Sequence, residues 1–132
     1  MFLQNASILA GATVSATGGT AQNFSPDGVL VNKGVHLIDA SVADFRTRPS
    51  LTAKTSQPSV LPDGSFSKDN RSLKYAEPFI DSKGKIQYDT IEITRRMHPE
   101  SSAAKATGML TKAAQFAFDA DFTSFWAVGS LL

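Results

Sequence analysis

"IQYDTIEITRRM" (86–97) runs directly into "HPESSAAKATGMLTKAAQFAFD" (98–119). In the first stretch Tyr88, Thr90, Glu92 and Thr94 alternate with Gln87, Asp89, Ile91 and Ile93, the period-two pattern of a strand with two unlike faces. In the second, Ala103, Ala106, Met109, Leu110, Ala113, Phe116 and Ala117 recur at helical spacing. The period therefore changes near residue 98. Pro99 suits the first helical position, and Glu100 suits the positive end of the helix dipole. Gly108 weakens the interior of this helix. A break follows at "DAD" (119–121), where Asp119 or Asp121 can cap a second short helix, "FTSFWAV" (122–128), ended by Gly129.

Upstream of residue 86 the chain reads as strands separated by turn signals. "SILAGATV" (7–14) and "TAQNF" (20–24) predict an N-terminal hairpin. "SPDG" (25–28) predicts a turn, with Pro and Asp presetting it and Gly28 free to take positive φ. "KGVHLIDA" (33–40) predicts a strand, and so does 45–57, with regular pairing from Ser50 after Pro49. Residues 58–70 predict a polar loop with a turn at Pro62-Asp63-Gly64. "RSLKYAEPF" (71–79) predicts the next strand, which Pro78 makes an edge or an exit. The fold class is α+β: an N-terminal β-hairpin, an antiparallel sheet, and two helices segregated at the C-terminus. The 132 residues predict one domain, with 1–97 forming the hairpin and sheet and 98–132 the helices.

A composition of 42% hydrophobic and 19% charged residues argues for a folded chain. With no cysteine, disulfide scaffolds, thiolate chemistry and sulfur-based zinc sites are excluded. The start lacks Lys and Arg before Lys33 and its apolar run is short, so no signal peptide is expected. No window reaches the length of a membrane span. The net charge of +1 predicts no polyanion partner, yet between Arg46 and Arg96 ten basic residues meet six acidic ones, a mildly basic stretch.

No phosphate-binding loop, nucleophile elbow or metalloprotease motif occurs. His36 and His98 are far apart and read as structural. Asp119 and Asp121 with Asp89 hold the residue types of a hard-cation site, but the first two are better read as helix caps. No cofactor or metal is expected.

The polar strand residues are more informative. "SLTAKTSQPS" (50–59) places Ser50, Thr52, Lys54 and Ser56 on one face and Leu51, Ala53 and Thr55 on the other. Ser72 and Lys74, and Tyr88 and Thr90, extend the polar set. Hydroxyls and ammonium groups hydrogen-bond phosphate oxygens, and a tyrosine stacks on an unpaired base. Such a face is also what a solvated sheet surface looks like. The opposite face, with Leu51, Ala53, Leu73, Ile91 and Ile93, suits a covering of helices. Phe116, Phe118, Phe122, Phe125 and Trp126 crowd the two helices, either as a core or as a cover for a partner's sheet.

The layout, with "LTAKTSQPS" (51–59), "NRSLKY" (70–75), "YDTIEIT" (88–94) and "DADFTSFWAVGSLL" (119–132), resembles the coat proteins of single-stranded RNA bacteriophages of the levivirus type. The resemblance covers nearly the whole chain. It implies a five-stranded antiparallel sheet and an interlocked homodimer with a ten-stranded sheet, each chain's helices covering the partner's sheet. Met109, Leu110, Phe116, Phe122, Phe125 and Trp126 would then form the dimer interface. It implies an icosahedral shell, of T=3 type, around genomic single-stranded RNA, assembled in the bacterial cytoplasm, with a phage maturation protein as a further partner. It implies no enzymatic activity. The RNA-facing positions correspond to Thr52, Lys54, Ser56, Ser72, Lys74, Tyr88 and Thr90, which would bind an operator hairpin in translational repression. The loop 78–85 corresponds to the one lining the shell's symmetry axes. The loop 59–70 is longer than in the best-known members, so the alignment of 70–74 is open by a residue or two, and a slip of one would exchange the faces. The competing readings are a non-viral single-stranded nucleic-acid-binding module using the same polar face, and a small enzyme with an unrecognised site.

Overall fold

The computed structural model describes residues 3–131. It divides into two units, residues 19–99 and residues 1–18 with 100–132.

The first unit is an antiparallel meander of five strands in sequential order: β1 (Ser25–Val31), β2 (Gly34–Ile38), β3 (Ser50–Ser56), β4 (Asp69–Ile80) and β5 (Ile86–Met97). The five-stranded sheet followed by two helices agrees with the sequence. The hairpin does not lie where the residues 7–24 suggested. Those residues form no strand, and the N-terminal hairpin is β1–β2, inside the sheet. "SPDG" is likewise not a turn between strands. It is a bulge within β1, where the register shifts between Pro26 and Leu30 and Gly28 takes φ +83°. The Asp27 carboxylate accepts the Val29 N–H at 3.0 Å. These residues carry turn chemistry, and a bulge uses the same local geometry inside a ladder.

β2 pairs with β3 along its whole length. Here Gly34 is required by close approach, because a Cβ on it would collide with the Ala53 carbonyl oxygen. β4 outruns β3: pairing with β3 ends at Ala76, while pairing with β5 continues to Ile80. Pro78 therefore has a ladder neighbour on one side only, which a residue without an N–H tolerates.

Two loops are tightly organised. Residues 59–67 fold as a small hairpin, with a bridge between Val60 and Phe66 and the Leu61 carbonyl accepting the Gly64 N–H at 2.9 Å. In the β4–β5 turn, Asp81 accepts the N–H groups of Lys83 and Lys85 at 2.9 Å each and the Gln87 amide at 3.1 Å. The backbone N–H of Lys85 is the leading reason its carboxyl is held below the usual range, with Gln87 next among the lowering contacts.

The second unit holds α1 (Ala103–Phe118), a single 3-10 turn (Ala120–Phe122) and α2 (Thr123–Val128). The helix begins later than Pro99 because Ser102 is its N-cap, its hydroxyl accepting the Lys105 N–H at 3.1 Å. Asp119 closes α1 and caps the following 3-10 turn through the Asp121 N–H, and Gly129 ends α2 in the left-handed conformation. The N-terminal segment is clasped to this unit. The Gln115 side chain accepts the Leu9 N–H at 2.7 Å and donates to the Leu9 carbonyl at 2.9 Å, and Asp121 accepts the Ser7 N–H at 2.9 Å. Gln115 is the buried residue of α1. Phe116 meets Phe122 edge-on at 5.3 Å, Phe125 meets Trp126 at 5.0 Å, and the Trp126 indole donates to the Phe116 carbonyl at 2.7 Å.

Beyond Pro49 and Pro78, Met97, at 8% exposed, is the one buried apolar side chain among the described residues, so a single chain encloses almost no apolar core.

Candidate nucleic-acid interface

Directly paired residues of an antiparallel sheet share a face, so the register assigns every strand residue to a side. Thr52 pairs with Lys74, and Lys74 with Glu92. Lys54 pairs with Ser72, and Ser72 with Thr94. Ser56 pairs with Asn70, and Asn70 with Arg96. Ser50 pairs with Ala76, and Ala76 with Thr90. Pro78 pairs with Tyr88. Thr52, Lys54, Ser56, Ser72, Lys74, Tyr88 and Thr90 thus stand on one face, and the register fixes Ser72 and Lys74 opposite Lys54 and Thr52 despite the long loop before them. Tyr88 is 64% exposed, its ring open to a stacking partner.

The same face extends across β2. His36 pairs with Thr52, and its Nδ1 lies 2.8 Å from Asp27 Oδ2. The Asp27 carboxyl is held below its ordinary value, first by the Val29 N–H and then by His36. His36 is therefore occupied by a neighbour in its own sheet, which agrees with a structural reading.

Two open concavities lie on this face. One of about 400 Å³ is lined by Lys33, Lys54, Ser56, Asn70, Ser72, Glu92, Thr94 and Arg96 among others. The second, about 240 Å³, is lined by Val31, Thr52, Lys54, Ser72, Lys74 and Glu92. Hydroxyl donors and ammonium groups so arranged can hold phosphate oxygens. Glu92 opposes this, placing one carboxylate between the lysines and limiting the net positive charge. Sequence alternation puts Glu92 on this face but does not reveal that it lines both concavities. Arg96, Asn70 and Lys33 were missed as members of the face. For Arg96 and Asn70 the alternation carried the signal; Lys33, read as the first residue of a strand over 33–40, would share a face with Val35 and Leu37, but β2 begins at Gly34 and Lys33 lies in the turn before it.

The opposite face carries Val35, Leu37, Leu51, Ala53, Leu73, Tyr75, Ile91 and Ile93. Ile91 is 58% and Ile93 51% exposed. Of the helix residues expected at an interface, Met109, Leu110, Phe116 and Trp126 are exposed, while Phe122 and Phe125 are half-buried. Asp119 and Asp121 serve as cap and clasp, and no group of metal-ligating side chains gathers among the described residues. No helix among them is long and apolar enough to cross a membrane.

No protein-family model matches the chain, and no curated protein matches it. Among solved structures, the virus-like particle of bacteriophage GQ-907 is similar over 98% of this chain and 98% of its own, with 30% sequence identity and a TM-score of 0.92. The chain belongs to the coat-protein family of RNA bacteriophages.

Proposed function

We propose that this protein is the structural coat protein of an RNA phage, a virion component whose dimers close into an icosahedral shell around genomic RNA. The observation that carries the reading is the end-to-end similarity to a subunit of a phage particle.

The unburied apolar surface supports obligate association. With only Met97, Pro49 and Pro78 buried among the apolar side chains of the described residues, the exposed isoleucines of β5 and the exposed residues of α1 and α2 need a partner's surface to exclude water. A second copy provides it if each chain's helices cover the other's sheet. The two sheet edges differ in a way that supports a ten-stranded dimer. β1 carries Pro26 and a bulge, both of which blunt an edge. β5 is 12 residues long with no proline, an edge left open for antiparallel pairing with its own copy.

In this reading the hydroxyl and lysine face turns toward the genome, with Lys54, Lys74 and the hydroxyls of Thr52, Ser56, Ser72 and Thr90 on phosphates and Tyr88 stacked on a base. A dimer engaging an operator hairpin there would repress translation and select the genome for packaging. The maturation protein is a further partner, and assembly in the host cytoplasm is the expected setting. Association and binding are the whole activity; no catalytic step is assigned.

Expression of the chain alone in bacteria, followed by size-exclusion chromatography, electron microscopy and nucleic-acid absorbance, tests this. Uniform RNA-containing particles are expected. A small nucleic-acid-binding dimer that never closes, even with RNA added, would instead favour a non-viral binding module.

A further inference from the structure

The small hairpin of residues 59–67, between β3 and β4, is held in shape by its own polar groups. The Ser65 carbonyl accepts the Leu61 N–H at 2.7 Å, and the Ser59 carbonyl accepts the Ser67 N–H at 2.8 Å. The Asp63 carboxylate accepts the Ser65 N–H at 3.0 Å and the Ser65 hydroxyl at 2.6 Å. Ordering a loop costs backbone entropy, and burial of apolar side chains ordinarily offsets that cost. Here the apolar side chains stay in water. Val60 and Phe66 pair across the bridge and so share one side of the hairpin, where they are 68% and 41% exposed.

A second apolar cluster lies at the other end of β4. Phe79, Ile80 and Ile86 flank the β4–β5 turn, and all are exposed. β4 has 12 residues. Its ends are about 37 Å apart at the rise of a strand, so the two clusters of one chain cannot cover each other. Their charges are complementary. Asp63 is the one charged residue of 59–67, whereas the turn carries Lys83 and Lys85 against Asp81. Asp81 is occupied by the N–H groups of its own turn, and neither lysine makes an ion pair among the described residues.

In a dimer paired antiparallel through β5, the hairpin of one chain and the turn of the other come to the same end of the sheet. They stand there roughly 14 Å apart by strand spacing, side by side rather than in contact.

We propose that the 59–67 hairpin is a contact between dimers, with Val60 and Phe66 seated on Phe79 and Ile80 of a neighbouring dimer and Asp63 beside Lys83 and Lys85. The occupant is thus a second copy of this chain. The contact is heterologous, hairpin to turn, the kind that continues an assembly past two copies. The inference rests on the shell-forming reading above.

Size-exclusion chromatography of Val60→Asp/Phe66→Asp tests it. Particles should be lost and dimers kept; particles of wild-type size would overturn the contact. Crosslinking decides the matter even if that variant fails to fold. The chain lacks cysteine, so Val60→Cys particles can be treated with a short maleimide–succinimide reagent and the linked peptides located by mass spectrometry. The new thiol should link to Lys83 or Lys85, and denaturing gels should show ladders of more than two chains. Links to these lysines that stop at two chains would place the contact inside the dimer and overturn the proposal. So would a thiol that reaches only other lysines, or none. A wild-type chain that forms no particles would overturn the shell reading and this contact with it.

Discussion

On β5, Tyr88, Thr90, Glu92 and Thr94 stand on one side of the sheet, and Asp89, Ile91, Ile93 and Arg95 on the other. The first set offers hydroxyls, a phenol and a carboxylate beside the cations of β3 and β4. The second offers branched apolar surface between charged ends. Apart from the half-buried Arg95, both sets are exposed, but exposure means different things on each side. Hydroxyls and lysines are content in water and bind phosphate when it arrives. Two adjacent, half-exposed isoleucines are a cost until another surface covers them. Alternate residues of one strand can thus carry two unrelated associations, and only the register keeps them apart.

Substitution on the apolar side of β5 should have the largest effect. The double variant Ile91→Asp/Ile93→Asp would bury carboxylates without partners at the proposed dimer contact. It should abolish particles and dimers in size-exclusion chromatography. Persistence of particles would mean that this face is not covered by a second chain.

Trp126→Ala sharpens the same point on the helices. Trp126 is 59% exposed in the single chain. Truncating a fully buried tryptophan costs about 3–5 kcal/mol, and a half-exposed one well under that. Denaturant unfolding should show the larger loss if a partner covers the ring.

Acidification should have the smallest effect. The Asp27, Asp39 and Asp81 carboxyls are held below their ordinary range: Asp27 chiefly by the Val29 N–H, Asp39 by the Ser41 hydroxyl, Asp81 by the Lys85 N–H. A group bound more tightly as its anion stabilises the fold above the ordinary carboxylate pKa and loses that contribution as pH falls through and below it. The thermal midpoint should therefore drop as pH is lowered below the carboxylate range and stay level near neutrality. Asp81→Asn should reduce the size of that drop.

Much of this layout was legible because it is local. Alternation in 86–97 gave β5 and its two faces, and alternation in 50–56 and 71–75 grouped Thr52 with Lys54 and Ser72 with Lys74, but it took the β3–β4 register to set the two pairs on a common side. The helical period gave α1, and Gly129 gave the end of α2. What failed depended on partners distant in sequence. Residues 7–14 have strand composition, but Leu9 is tied to Gln115 of α1 by two hydrogen bonds, and no local pattern encodes that clasp. "SPDG" has turn composition, and whether it reverses the chain or bulges a strand depends on β2 beside it. Ser102 outcompeted Pro99 as the start of α1, since a side-chain cap satisfies an orphan N–H and a proline only avoids adding one. Lys33, expected in the strand 33–40 with Val35 and Leu37, lies instead in the turn before β2 and lines the polar side.

The most direct test of the two-faced sheet uses the chain's lack of cysteine. Single variants Thr90→Cys, Ile91→Cys, Ile93→Cys and Thr94→Cys would be reacted with a soluble thiol reagent in the purified protein, with and without polyuridylate. The account predicts an alternation: Thr90→Cys and Thr94→Cys react freely and are protected by RNA, while Ile91→Cys and Ile93→Cys are shielded by the partner chain whether RNA is present or not. Equal reactivity along the strand, or equal protection of all four by RNA, would contradict it.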